Sequence, residues 1–146
     1  MPLITFHGRD FPFVLDGNTI VFHGLDFTAL GLVNFEDFPL FAAIRVIGNF
    51  SCSHNKLKNF RGLPDDFEVC GNFNCSRNRL LTLEGLPKRL MVRGNFDCSF
   101  NKLYTLTNMP VRVSIAGSFY CQNNVRLKNL NGLSSYFQST RTIRKV

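Results

Sequence analysis

The amino-acid sequence predicts a mainly β fold. About four repeats are expected to form a solenoid of short parallel strands, capped by an N-terminal β-hairpin region. Three observations lead to this prediction. A motif containing glycine, cysteine and asparagine returns at a constant spacing, and a fixed period is typical of repeat architectures. Each copy has two runs of alternating apolar residues, which begin as Ile44-x-Val46 and Phe50-x-Cys52 and have the period of half-buried strands. Near the start, Asp16-Gly17 lies between β-rich runs and predicts a hairpin.

The motif occurs four times at equal intervals. Its first copy begins at Gly48 and reads GNFSCSHNKL in one-letter code, and later copies begin at Gly71, Gly94 and Gly117. Glycine is expected where a chain bends sharply or where two backbones approach closely. In each of the first three copies a proline closes the arc that follows the motif, and proline prevents a long helix there.

The repeat boundaries divide the chain into three parts of one structural domain. Residues 1–43 are assigned to an N-terminal β cap and transitional segment, residues 44–133 to the solenoid, and residues 134–146 to a C-terminal cap and basic tail. A solenoid needs terminal elements because its first and last core layers would otherwise be open to water.

The N-terminal part carries two further expectations. Phe27 and Ala29 lie one repeat length before Phe50 and Cys52, which suggests a degenerate copy of the repeat. A short helix fits residues 36–43.

Composition excludes some classes of protein. Apolar residues make up 45% of the chain, too many for a disordered protein. No stretch approaches the roughly 18 apolar residues of a membrane span, and no signal-peptide pattern is present. We therefore expect a cytoplasmic protein without a membrane partner.

The net charge of +7 is unevenly distributed. Residues 1–46 carry −3, residues 47–125 carry +5, and residues 126–146 carry +5 with no acidic side chain. The last segment is a basic arm, which suits nucleic acid, an acidic partner or solubility. Its members are Arg126, Lys128, Arg141, Arg144 and Lys145.

The constant polar residues of the motif are interpreted as scaffold. Asn55 and its counterparts are expected to form an inward ladder that satisfies backbone groups in the turns. Cys52 and its counterparts are expected to form a buried row of thiols. A row cannot provide the tetrahedral arrangement of a zinc site, and parallel Cβ vectors disfavour disulfides. We expect no metal and no cofactor.

Catalytic signals are weak, and the chain is not expected to be an enzyme. Two His/Asp pairs near the N terminus, His7 with Asp10 and His23 with Asp26, suit strand ends better than a metal or acid–base site. The acidic cluster that begins at Asp65 is interpreted as a solvated turn. Neither a Ser/His/Asp order nor a phosphate-cradling glycine loop occurs.

Two columns of side chains vary between copies while the scaffold stays constant, and they are the candidate binding residues. Arg, Tyr and Phe are favoured at interface hot spots, so an anchor patch is expected where Phe100 and Tyr120 lie near Arg77. Two constant columns, which begin at Asn49 and Ser53, are also expected to point outward. The candidate binding residues are Ser51, His54, Asn74, Arg77, Asp97, Phe100, Tyr120 and Asn123.

The pattern Phe-x-Cys-x-x-Asn-x-Leu resembles the leucine-rich-repeat motif, with Phe and Cys at two leucine positions. With the Gly-Asn that precedes it and the Gly-Leu-Pro that follows, it is similar to short leucine-rich-repeat proteins of bacteriophages and bacteria. The resemblance covers about residues 44–133. It implies a curved solenoid with a parallel sheet along one side, and protein binding in place of catalysis.

Three functions follow as hypotheses. In the first, the chain docks a partner protein on its repeat sheet, as a phage protein that masks or inhibits a host protein in the host cytoplasm would. In the second, nucleic acid or a ribonucleoprotein binds the basic repeats and tail. Against it, the basic residues are expected to scatter over several faces without interleaved aromatic residues. In the third, the chain is a structural subunit of a larger viral assembly. The basic residues of the second hypothesis are Arg77, Arg79, Lys88, Arg89, Arg93, Lys102 and those from Arg126 onward.

Overall fold

The computed structural model describes residues 1–110 and 112–132 in full, and residues 143–144 by their backbone. Within these residues the chain is all strand and turn, without a helix. The strands are β1 Leu3–Phe6, β2 Arg9–Pro12, β3 Val14–Asp16, β4 Thr19–Phe22, β5 Leu25–Asp26, β6 Ala43–Val46, β7 Phe50–Ser51, β8 Asp66–Val69, β9 Phe73–Asn74, β10 Arg89–Val92, β11 Phe96–Asp97, β12 Arg112–Ile115, β13 Phe119–Tyr120 and β14 Ile143–Arg144.

The repeats stack into a β-solenoid of about four turns, which confirms the predicted fold class. Each turn contributes one strand to each of two six-stranded sheets. Sheet I has the order β12-β10-β8-β6-β4-β3, and sheet II has the order β14-β13-β11-β9-β7-β5. Pairing is parallel throughout sheet II, and in sheet I the one antiparallel pair is β3 with β4.

The predicted N-terminal hairpin is formed by β3 and β4. Asp16 pairs with Thr19, so Gly17 and Asn18 form a two-residue loop, and Gly17 has a φ of 61°. Glycine at the first position of such a loop is typical of hairpin turns. A second hairpin, β1 with β2, lies before it.

The N-terminal turn differs from the sequence prediction in register. Leu25, and not Phe27, pairs with Phe50. The stretch of chain from β5 to β7 is therefore longer than the stretch between later neighbouring strands of sheet II. The expected alignment of Phe27 with Phe50 is wrong.

The expected helix over residues 36–43 is also wrong. The amide of Phe35 donates to the carbonyl of Arg61 in the next turn at 2.7 Å, and Phe38 closes a tight turn back to Phe35 at 2.9 Å. The first bond joins this segment to the next turn of the solenoid, and the second forms a tight turn in place of a helix.

A column of phenylalanines fills the core beside sheet II. Phe50, Phe73, Phe96 and Phe119 are all fully buried. Their ring centroids are 4.9, 4.8 and 5.5 Å apart in succession. Aromatic pairs at such distances contribute about 0.5–1.5 kcal/mol each beyond their buried area, so the column stabilises the stacking of neighbouring turns.

The predicted asparagine ladder lies inside the solenoid at the end of sheet II. Asn78 is typical: its Nδ2 donates to the carbonyls of Cys52, Cys75 and Ser76, while its Oδ1 accepts from the amide of Leu57 at 3.0 Å. One side chain thus satisfies backbone groups of two successive turns. Equivalent bonds are made by Asn55, Asn101 and Asn124.

A second asparagine ladder runs along the bend between the two sheets. Asn72 Oδ1 accepts from the amide of Asn95 at 2.8 Å, and Asn49 and Asn95 make the same bond to the turns that follow them. Beside it, the amide of Gly94 donates to the carbonyl of Gly71 at 2.9 Å. The glycines are therefore required for close backbone approach, as predicted.

Substituting Gly94 with alanine should lower the free energy of unfolding by about 1–3 kcal/mol, the usual effect of overpacking. A Cβ at this position would lie 2.7 Å from the Gly71 carbonyl oxygen and closer still to Asn72 Oδ1. Denaturant unfolding of Gly94→Ala measures the loss, with Ser114→Ala, at an exposed position of β12, as control. Equal stability of the two variants would contradict the close approach.

Replacing Asn78 with alanine should destabilise the fold by about 2–4 kcal/mol, because unsatisfied buried groups cost about 1–3 kcal/mol each. Thermal unfolding of Asn78→Ala compared with Asn108→Ala, an exposed asparagine, measures the difference. A loss no larger than that of the control would show that the ladder is dispensable.

Candidate binding surface

The first predicted column lies on the outer side of sheet II and is half-buried. Asn74 Oδ1 accepts from the amide and the hydroxyl of Ser76 at 3.0 and 2.7 Å, and Asp97 does the same with Ser99 at 2.9 and 2.6 Å. Ser51 Oγ lies 3.2 Å from Ser53 Oγ. Through these bonds the three side chains close local turns. Tyr120, the fourth member, lies beside a hollow of about 130 Å³ that Asn74 and Asp97 also line.

The serine column was expected to point outward, and this expectation is wrong for three of its members. Ser53, Ser76 and Ser99 are buried. They are covered because their hydroxyls pack against the column that precedes them in the chain. The pattern of polar residues in the motif does not distinguish a buried, hydrogen-bonded serine from an exposed one.

The second predicted column occupies an exposed, left-handed turn. His54, Arg77, Phe100 and Asn123 have φ values of 57°, 56°, 54° and 59°. Histidine and asparagine adopt this conformation several times more often than other residues, whereas bulky side chains there are strained. In two repeats this position is nevertheless occupied by Arg77 and Phe100, although Asn would fit more easily. Arg77 and Phe100 therefore adopt this conformation at an energetic cost that Asn would largely avoid.

Arg77 and Phe100 contact each other across successive turns. The Arg77 guanidinium carbon lies 4.2 Å from the centroid of the Phe100 ring, a cation–π arrangement. The Phe100 side chain remains 41% exposed. The predicted anchor patch therefore includes this pair, and Tyr120 belongs to the adjoining column of sheet II.

Exposure continues in alternation after the left-handed turn. Asn101 and Leu103 are buried, whereas Phe100, Lys102 and Tyr104 are exposed. Backbone bonds between successive turns hold these positions in line, such as that from the Lys102 amide to the Leu80 carbonyl at 2.9 Å. Three parallel columns result, which we call the turn face. Its residues are His54, Lys56, Lys58, Arg77, Arg79, Leu81, Phe100, Lys102, Tyr104, Asn123, Arg126 and Lys128.

The turn face is strongly basic. Seven of its twelve residues are Lys or Arg, and none is acidic. Within the described residues, no carboxylate forms an ion pair with Lys56, Arg79, Lys102 or Arg126. The expectation that aromatic residues do not interleave with the basic ones is wrong on this face, because the alternation places Phe100 and Tyr104 on either side of Lys102. The basic residues do lie on more than one face, as expected, since Arg89 and Arg93 belong to the side of sheet I.

Most charges on the outer side of sheet I are, by contrast, paired. Glu68 lies 3.1 Å from Arg93 and 3.7 Å from Arg45, and Arg89 makes a bidentate pair with Asp66. Hydrogen bonds from Arg89 lower the pKa of Asp66. A depression of about 360 Å³ crosses this surface, but its charges compensate one another.

The pairing corrects the interpretation of the acidic cluster as a solvated turn. Asp66 and Glu68 belong to β8, with their carboxylates facing cations of the neighbouring strands. The sequence contained a signal for this arrangement, because Arg89 follows Asp66 by one repeat length. The parallel register places such residues directly side by side.

A hollow on the turn face lies between its third and fourth turns. It measures about 630 Å³ and is lined by Tyr104, Val125, Arg126 and Lys128. The Tyr104 side chain is 53% exposed. The sequence prediction named neither Tyr104 nor Lys56, and it named Arg79 and Lys102 only among the basic residues of the nucleic-acid hypothesis. Their exposure was predictable from alternation, but their alignment depends on stacking.

The predicted basic arm is described in part. Arg126 and Lys128 are exposed members of the turn face. Arg144 lies in β14, which pairs with β13. Arg141 and Lys145 lie outside the described residues.

The two N-terminal histidines have different surroundings. His7 Nε2 lies 3.7 Å from Asp37 Oδ2. His23 borders an apolar hollow of about 340 Å³ at the N-terminal hairpins. In the described part of the chain, no three His, Cys, Asp or Glu side chains are grouped closely enough to hold a metal ion. That part also contains no helix able to cross a membrane.

The cysteine column is buried, as predicted. Cys52, Cys75, Cys98 and Cys121 have no exposed surface and are unbridged. Burial raises the pKa of the Cys52, Cys75 and Cys98 thiols, since the thiolate would lie in an apolar core. Cys70 is only half-buried, with its Sγ 3.8 Å from Glu68 Oε1.

Alkylation should distinguish the cysteine column from Cys70. Near neutral pH, iodoacetamide should modify the native chain once, at Cys70, because reaction requires an accessible thiolate. After denaturation all five cysteines should react. Mass spectrometry counts the adducts, and Cys70→Ser should remove the native one. Rapid modification of the native Cys70→Ser chain would contradict a closed core.

Comparison with protein-family models finds no match to the chain, and comparisons with curated proteins and with solved structures likewise find none. The fold is a repeat-based β-solenoid.

Proposed function

We propose that this chain is a non-enzymatic binding module that holds nucleic acid on its turn face. One observation carries the proposal: seven cations and two exposed aromatic side chains share a surface that has no acidic residue. A basic surface recognises the phosphate backbone irrespective of sequence, and aromatic side chains offer platforms on which bases stack.

The spacing of the cations supports a linear polyanion as partner. Adjacent strands lie about 4.8 Å apart, so the row of Lys56, Arg79 and Lys102 repeats at about this distance. Like charges so close repel one another by roughly 1 kcal/mol per pair even in water. A row of phosphates along the solenoid axis would relieve the repulsion and release counterions.

Protein docking is the second candidate function, and the Arg77–Phe100 pair favours it. Arg and aromatic side chains are common hot spots of protein interfaces, and Tyr120 lies in the adjoining column. The resemblance to short leucine-rich-repeat proteins of phages and bacteria supports a role in masking a host protein in the cytoplasm. Against this candidate, Asn74 and Asp97 already use their oxygens in local turns.

A charge-matched pair of variants tests nucleic-acid binding. Lys56→Ala/Arg79→Ala/Lys102→Ala should weaken binding to a single-stranded oligonucleotide of about 12 nucleotides, within the usual site sizes. The plot of log K against log salt should flatten by about 2, at about 0.7 per lost phosphate contact. Fluorescence anisotropy over a salt series measures both quantities.

The matched control is Arg45→Ala/Arg89→Ala/Arg93→Ala, which removes the same charge from sheet I. It should retain most of the affinity and the steeper slope. Equal losses in both variants would show that binding reflects net charge alone and would contradict the turn face as the site. Capture of a protein from lysate that survives nuclease and salt, yet is lost with Phe100→Ala, would favour protein docking.

A further inference from the structure

The hollow beside Tyr104 makes the proposed function more specific. Resting on nucleic-acid binding by the turn face, we infer that the partner is single-stranded and that one of its bases stacks on Tyr104, with its phosphate held by Arg126 and Lys128. The described residues that line the hollow combine an aromatic ring, an aliphatic side chain and two cations. These are the groups that a nucleotide needs for its base and its phosphate.

The ring of Tyr104 is presented on a rigid part of the solenoid. Its amide donates to the carbonyl of Leu81 at 3.1 Å. Leu103 before it and Leu106 after it are completely buried. The backbone is thus anchored on both sides, while about half of the side chain faces solvent. A ring held in this way loses little conformational freedom when a base stacks on it.

The layout of the turn face suits unpaired bases better than a duplex. In a duplex the bases are stacked on one another, and a protein reads them with a helix or β-ribbon inserted into a groove. The described turn face presents neither. It places Phe100 and Tyr104 on either side of Lys102, so that a single strand could contact the cation with its phosphates and the rings with its bases. Arg77, whose guanidinium already stacks on Phe100, adds a further planar surface.

Tyrosine fluorescence provides a direct test. The chain has three tyrosines and no tryptophan, so Tyr120→Phe/Tyr136→Phe leaves Tyr104 as the reporter. Oligothymidylate should quench this signal on binding. Inorganic polyphosphate, which has charge but no bases, should bind without comparable quenching, and a duplex of equal length should bind more weakly than the single strand.

Substitution of Tyr104 should separate stacking from charge. Tyr104→Ala should reduce affinity for oligothymidylate about 5- to 150-fold, the range measured for loss of one stacked base, and should leave polyphosphate binding unchanged. Tyr104→Phe should retain affinity because it keeps the ring. Met91→Ala, which truncates an exposed apolar side chain of β10 outside the turn face, is the control and should behave like the unsubstituted chain.

The outcomes distinguish this inference from the proposed function. If the chain binds oligothymidylate, polyphosphate and duplex alike and Tyr104→Ala has no effect, base stacking is wrong while nucleic-acid binding by charge stands. If none of the three probes binds a chain whose circular dichroism shows the native fold, both are wrong. Loss of affinity in Tyr104→Ala for polyphosphate as well would indicate a structural role for the ring and would overturn the inference.

Discussion

Each buried asparagine amide ties two turns of the solenoid together, and the rest of the structure depends on this bond. Its Nδ2 and Oδ1 form hydrogen bonds with backbone carbonyls and amides that the sharp left-handed turn would otherwise leave unsatisfied inside an apolar core. With the turns held in register, the phenylalanine and cysteine columns can pack. At the bend between the two sheets, glycine permits the close approach of successive backbones. Because leaving those groups unpaired would be costly, a slip of one turn against the next is strongly disfavoured.

The same register determines where charge accumulates. On sheet I, acidic and basic residues one repeat apart become neighbours and neutralise each other. On the turn face every column lacks an acidic member, so cations stand beside cations. A repeat protein can thus have a neutral side and a strongly charged side although its overall charge is only moderate. The charged side is where electrostatic attraction would direct a polyanion.

The candidate site was only partly predictable. The variable column from His54 to Asn123 was identified because it changes while the scaffold does not, and it is exposed. The columns that begin at Lys56 and Lys58 were not identified as columns, although their residues alternate with buried leucines and Arg79 and Lys102 had been named as basic residues. Sequence variation identified one column. The charge of the turn face comes from three columns together, and these become neighbours only when the repeats stack. The serines were misjudged because hydrogen bonding, and not polarity, decides whether a small side chain is covered.

The sequence by itself determined the period, the strand pairs, the need for glycine at the bend and the inward roles of phenylalanine, cysteine and asparagine. Each of these follows from local patterning that returns at a constant spacing. Tertiary structure alone decided the pairing of Leu25 with Phe50, the contact of Arg77 with Phe100 and the hollow that joins Tyr104 to Arg126. Those features depend on which residues lie side by side in successive turns, and the length of each arc sets that alignment after the chain has stacked.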